Sequence, residues 1–265
     1  MNKLSYNTYV EVLLKLGLKD GDTVFVQSDL GKIGPLDVDT KASAYLHFYF
    51  HGIQDVVGVN GTIVVMTAND DWGYKGEAFY KETSPSHRGR FSEYIRRKPE
   101  SVRSLHPASC VSALGEKADF IANGAHYDAY GYDSPYGRMH KLNAKILSIG
   151  FRASSFNHYA ESLYGVPYRY YKMFKTPVYS KNEQVEGPFT MLVKYSNYGL
   201  ENTPDKINSY LTEKGVLKEC KLGKGKAILC SVNDYVDNTI VALRKDRFIL
   251  QKYYPAFEEG KIPLT

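Results

Sequence analysis

Short apolar, β-branched runs alternate with segments whose apolar residues recur every three or four positions. "TVFVQ" (23–27), "GTIVVMTA" (61–68) and "AKILSIG" (144–150) are each bounded by turn residues and read as buried strands. Between them, residues 5–16 place Tyr9, Val12, Leu13 and Leu16 at helical spacing, with Gly17 as a stop. Residues 40–57 look helical again, and "GRFSEYIRRKP" (89–99) reads as an amphipathic helix ended by Pro99. "SVRSLHPASCVSALG" (101–115) holds a further strand. This order predicts an α/β fold with a mixed, partly parallel sheet flanked by helices. From residue 166 the texture changes: "FTMLVKYS" and "KAILCSV" bracket a helical stretch around 204–214, which predicts a smaller antiparallel C-terminal lobe. No linker rich in Pro, Gly or Ser intervenes, so a single domain with lobes of approximately 1–165 and 166–265 is expected.

Composition narrows the function classes. No apolar run approaches the roughly 18 residues of a membrane span, and "MNKLSYNTYVEVLLKLGL" lacks the apolar block and cleavage site of a signal peptide, so the expected location is cytoplasmic. The three cysteines, Cys110, Cys220 and Cys230, include no C-x-x-C pair, which argues against a disulfide framework and a zinc ribbon. A net charge of +5 suits an anionic small ligand but is too small and dispersed to specify nucleic acid. Tyrosine is abundant, 23 in all, with clusters at 125–137 and 168–172. Its flat apolar face and hydroxyl suit sugars and bases, as well as half-buried structural positions.

The stretch "SFNHYAESL" sets Ser155, His158 and Glu161 three residues apart. On a helix, residues at that spacing share a face. Three readings are open: a catalytic base with helpers, half of a metal site, or an ordinary helix end. A zinc site needs at least three protein ligands, and no second histidine pairs with His158 at ligand spacing. His47 and His51 lie four apart but lack the acidic residue of H-E-x-x-H, so no metal is expected. As a base, His158 would be oriented by Glu161, while Ser155 could donate to a developing oxyanion. There is no G-x-S-x-G elbow, so the nucleophile would be external. "QSDLGKIG" (27–34) follows a strand and can present backbone N–H groups and Lys32 to an anion. A second basic stretch, 86–103, reads mostly as a solvated helix face.

Taken in order, "LGLKDGDTVFVQSDLGKIG", "GTIVVMTA", "GRFSEYIRRKPESVRSLHPASCVSALGEKA", "YGYDSPYGRMHKLNAKILSIG" and "SFNHYAESL" resemble the aminoglycoside 3-N-acetyltransferase family. The resemblance runs from about residue 12 to 172, and its most specific block is "RSLHPASCVSALG". It implies acyl transfer from a coenzyme A thioester to an amine, without a covalent acyl-enzyme. His158 matches the family's catalytic histidine, Glu161 the acidic residue after it, and Ser155 a hydroxyl position before it. The loop Ser28, Asp29, Leu30, Gly31, Lys32 matches a segment near the coenzyme A phosphates, and Arg103, Ser104 and His106 match a block beside the cleft. The chain departs from the family at Gln27 and Asp29, where many members read V-H-x-S-L.

Acceptor identity is a separate expectation. Aminoglycosides are polycations that favour an acidic cleft, whereas "YGVPYRYYK" (164–172) is basic and aromatic. Tyr168 and Tyr171 for stacking, with Arg169 and Lys172 for a pyrophosphate, suggest a nucleotide-linked amino sugar carried on dTDP or UDP. An aminoglycoside acceptor is the alternative, and a non-catalytic sugar- or polyanion-binding module is a third reading. The acyl group and the oligomeric state are not encoded in any motif.

Overall fold

The computed structural model describes residues 3–38, 41–124, 126–152, 154–195 and 200–252. Ser5 caps α1 (Tyr6–Leu16) by accepting from the Thr8 N–H, and Gly17 closes it in the left-handed conformation at φ 101°. β1 (Thr23–Ser28), a 3-10 turn (Leu30–Ile33), α2 (Ala42–Val57) and β2 (Thr62–Met66) follow. Next come α3 (Asp70–Tyr74), β3 (Phe79–Tyr80), α4 (Arg90–Arg96), β4 (Val102–Arg103) and β5 (Val111–Gly115). α5 (Ala118–Ala122), α6 (Pro135–Lys141), β6 (Lys145–Ile149) and α7 (Phe156–Tyr164) lead to β7 (Arg169–Phe174) and β8 (Val178–Ser180). The last elements are β9 (Glu183–Gln184), β10 (Phe189–Lys194), α8 (Asp205–Glu213), β11 (Lys218–Leu222), β12 (Gly225–Ser231) and α9 (Val232–Lys245).

Seven strands form the main sheet in the order β11-β12-β6-β1-β2-β5-β4. β1 runs parallel to both neighbours, with Phe25 opposite Val64 and Ile146, and the strands outside this trio pair antiparallel. Period-two alternation sorts the side chains between two cores. Phe25, Val64, Ile146 and Cys230 face the layer of α5 to α9. Val24, Val26, Ile63, Val65, Leu147, Ile149 and Leu229 face the layer of α1, α2 and α4. Burial on both faces explains why the strands read as continuous apolar runs.

The smaller part is the antiparallel pair β7–β10 together with the sheet β3-β8-β9, in which β3 runs parallel to β8 and β9 antiparallel to it. It rests on a third apolar cluster of Trp72, Phe79, Leu105, Cys110, Val178 and Phe189. Trp72 is fully buried and its indole N–H donates to the Thr176 carbonyl at 3.1 Å, which ties α3 to this part. From residue 218 the chain returns to the main sheet, where β12 pairs with β6. The C-terminal segment therefore contributes both to the antiparallel part and to the main core. Among the described residues, no helix is long and apolar enough to cross a membrane.

Candidate active site

The parallel strands end on one side of the sheet, and a cleft of about 750 Å³ opens there. Clefts at the carboxyl ends of parallel strands are the usual ligand sites of α/β sheets. Gln27 and Ser28 at the end of β1, and Phe151, Ser154 and Ser155 after β6, line one wall. α3 supplies Asp70, Gly73 and Tyr74, and the β7–β10 pair supplies Tyr170, Lys172, Phe174 and Met191.

His158 lies in this cleft, on α7. Its Nδ1 is 2.8 Å from Oε2 of Glu161, one turn on, and its ring packs against Tyr130 at 5.4 Å between centroids. Glu161 is 1% exposed. Its Oε1 accepts from the Tyr168 hydroxyl at 2.8 Å, and Arg169 Nε lies 2.8 Å from Oε2 as a close ion pair without good hydrogen-bond alignment. Burial opposes the charge on Glu161, but Arg169 and His158 outweigh it and hold the carboxyl below its usual range. An ionised Glu161 accepts the Nδ1 proton of His158, which leaves Nε2 as the basic nitrogen of the neutral ring. Burial, and then the charge of Glu161, push the Tyr168 hydroxyl far up, so it remains a donor.

Ser155 precedes α7 but does not cap it; Ser154 Oγ instead accepts from the Phe156 N–H at 3.2 Å. Ser155 lines the cleft, but its hydroxyl oxygen is shielded, beside the Tyr136 hydroxyl. Asn157 accepts from the Tyr235 hydroxyl at 2.8 Å, which pins α7 to α9.

The other residues anticipated from the sequence divide. Ser28 lines the cleft, and the Asp29 N–H donates to the Ile149 carbonyl at 2.8 Å, fastening the loop to β6. Leu30 packs into the core, Gly31 lies within the 3-10 turn, and Lys32 Nζ pairs with Asp29 at 3.0 Å on the surface. Arg103, Ser104 and His106 are buried and do not line the cleft. The Arg103 guanidinium donates to the carbonyls of Lys81, Ser84 and Thr67 and packs over Phe79, so it clamps the 79–84 segment to the sheet. Ser104 Oγ accepts from the Val111 N–H, and the His106 ring donates to the Thr190 carbonyl at 3.0 Å. Burial pulls the His106 pKa down to about 4.

Of the 168–172 cluster, Arg169, Tyr170 and Lys172 line the cleft. Tyr168 is fully buried behind Glu161, and Tyr171 is half-exposed, its hydroxyl 2.9 Å from Ser162 Oγ. Arg169 is spent on Glu161, so the segment is less of a free cationic rim than its composition suggests. Sequence reasoning missed Asp70 and Tyr74, included Tyr130 and Tyr170 only within its tyrosine clusters, and read the stretch that holds Arg88 mostly as a solvated face. Arg88 instead lines the cleft beside Asp70. An acidic pair shortly after a strand that ends at the cleft, "VVMTANDD", was the available signal for Asp70. His47 and His51 stack on α2, Nδ1 to Nε2 at 3.3 Å, and neither lines the cleft. Among the described residues, no three His, Cys, Asp or Glu side chains are grouped to hold a metal.

A family model described as aminoglycoside 3-N-acetyltransferase matches residues 25–244. Aminoglycoside N(3)-acetyltransferase VII of Streptomyces paromomycinus is 28% identical over 194 residues, 65% of this chain and 65% of its own length. Aminoglycoside acetyltransferase AAC(3)-Xa superposes with a TM-score of 0.79 at 24% identity, covering 95% of both chains. AAC-IIIb, solved in a binary complex with CoASH, superposes with a TM-score of 0.75 at 20% identity, covering 92% of this chain and 97% of its own. These findings overturn the expectation of a nucleotide-linked amino sugar as acceptor, because the relatives are named for aminoglycosides. The physical reason is that the composition of 164–172 implies a free cationic, aromatic rim, whereas Tyr168 is buried and both it and Arg169 are paired with Glu161. With the match spanning most of the sheet and the whole cleft, the chain belongs to the aminoglycoside 3-N-acetyltransferase family.

Proposed function

We propose that this protein transfers an acetyl group from acetyl-coenzyme A to an amino group of an aminoglycoside-class acceptor, with His158 as the general base. Family membership supports the reaction class, an acyl-CoA-dependent N-acyl transfer, and the relatives' names support the acceptor class. The observation that carries the role of His158 is its hydrogen bond to an ionised, buried Glu161 inside the cleft.

An ammonium has no lone pair and cannot attack. The free amine attacks the thioester carbonyl and passes its proton to His158 Nε2 as the C–N bond forms. The imidazolium so formed is stabilised by Glu161, whose charge is in turn held by Arg169 and Tyr168. Breaking the C–S bond releases coenzyme A thiolate, which takes the proton back from His158. In this reading the Ser155 hydroxyl, shielded beside Tyr136, turns into the cleft to donate to the transient oxyanion. No covalent acyl-enzyme is needed, and none of the three cysteines lines the cleft. Burial raises the Cys230 thiol to about 12, far from a usable nucleophile. Ser28 and the adjoining turn, with Lys172 and Lys194, are suited to the phosphates of the donor.

Thiol release from acetyl-coenzyme A tests the proposal when a kanamycin- or gentamicin-type acceptor is added to the wild-type protein. Acceptor-dependent release of coenzyme A is expected. Release at the acceptor-free rate across a panel of aminoglycosides would overturn it.

A further inference from the structure

The charges on the cleft wall are distributed unevenly. The residues lining it that carry a formal charge at neutral pH are Asp70, Arg88, Arg169, Lys172 and Lys194. Arg169 is neutralised by Glu161. Arg88 is engaged by Asp70 through both nitrogens, Nη1 donating to Oδ2 at 2.9 Å and Nη2 to Oδ1. Two lysines remain without a carboxylate among the contacts described. Lys172 lies with its ammonium 5.1 Å from the Phe174 ring centroid, and Lys194 donates to the Leu200 carbonyl at 3.0 Å. Both stand on the β7–β10 pair, so that wall is cationic while the α3 wall is neutral as it stands.

Among the described residues lining the cleft, Asp70 is the single carboxylate. Its pair with Arg88 is only partly buried, at 33% and 34% side-chain exposure, so it can exchange partners with a ligand. Tyr74 sits four residues on, on the same face of α3, lines the cleft and is 89% exposed. A carboxylate flanked by an exposed aromatic face matches an amino sugar, whose ammonium needs an anion and whose C–H face packs on a ring.

We infer that Asp70 is the residue that selects the acceptor. An acceptor ammonium replaces Arg88 on the Asp70 carboxylate, and the sugar ring that bears it lies against Tyr74. This assignment rests on the proposed function and gives the amine the α3 side of the cleft, where Gly73 approaches Phe174 of β7. Arg88 is then an internal competitor: it pairs with Asp70 and opposes the binding of cations.

Steady-state kinetics on three variants test the assignment, with the KM for acetyl-coenzyme A as internal reference. Asp70→Asn should raise the aminoglycoside KM roughly tenfold, the effect of losing one charge-assisted contact. Arg88→Gln should lower that KM several-fold, because the competitor is gone. Opposite signs at the two ends of one ion pair are the signature, since a purely structural pair would be damaged alike from either end. Tyr74→Ala removes a side chain too exposed to support the fold and should raise the acceptor KM. An unchanged acceptor KM in Asp70→Asn, or a rise in both Asp70→Asn and Arg88→Gln, would overturn the role of Asp70 while wild-type turnover leaves the proposed function standing. A wild type that neither binds nor acetylates any aminoglycoside would overturn both.

Discussion

Glu161 is the residue on which the site depends, because it is buried, charged and shared by three partners. Removing one member of such a group leaves an uncompensated buried charge, which costs about 3–5 kcal/mol. Glu161→Ala is therefore expected to lower stability by that amount in denaturant titration, with Arg169 as the stranded cation. Glu161→Gln keeps the shape and removes the charge that fixes the His158 tautomer. It should fold and lose on the order of 10²–10⁴ in kcat, the usual worth of general-base catalysis, while coenzyme A binding measured by calorimetry stays intact. The His158–Glu161 pair was legible in the sequence because both partners lie on one helix, where spacing implies contact. Tyr168 and Arg169 were visible as residues but not as partners of Glu161. Reaching it requires the chain to reverse at Gly165 and start β7 beside α7, and no local pattern encodes which side of a new strand faces back.

At the scale of elements, the strands were the most legible feature. Both faces of the sheet are covered, so each inner strand is a plain apolar run, and β1, β2 and β6 fall within a residue or two of where the sequence puts them. Short elements escaped: α3 has five residues, too few to show a helical period, yet it builds one wall of the cleft. "SVRSLHPASCVSALG" reads as one strand and forms two, β4 and β5, joined by a turn around Pro107. Contact between elements also sets the loop at Ser28. Gly150 follows β6 at φ 66°, and a Cβ there would come within 2.4 Å of the Asp29 carbonyl. Gly150→Ala is expected to destabilise the fold by at least about 1 kcal/mol and to push the Asp29 loop outward. The check is a rise in the KM for acetyl-coenzyme A alongside a lower melting temperature.

For the whole molecule, acid is the condition that separates fold from function. His106 and His126 are buried, and burial lowers both to about 4, against an ordinary histidine value of 6.5. In that interval the unfolded chain binds protons that the folded chain refuses. Their contribution to stability is therefore complete above pH 6.5 and is lost as pH falls from 6.5 towards 4. Melting temperature should decline across that window, and His126→Gln should flatten the decline; a flat wild-type curve would contradict the burial argument. The same core carries the cleft, and the proposed reaction there rests on one proton acceptor, His158. The most direct measurement is single-turnover acetyl transfer by His158→Asn, compared with wild type at saturating acetyl-coenzyme A and aminoglycoside. A fall in rate of roughly 10²–10⁴, with unchanged coenzyme A affinity, is the expected result. A rate within threefold of wild type would contradict the role of His158 as the base.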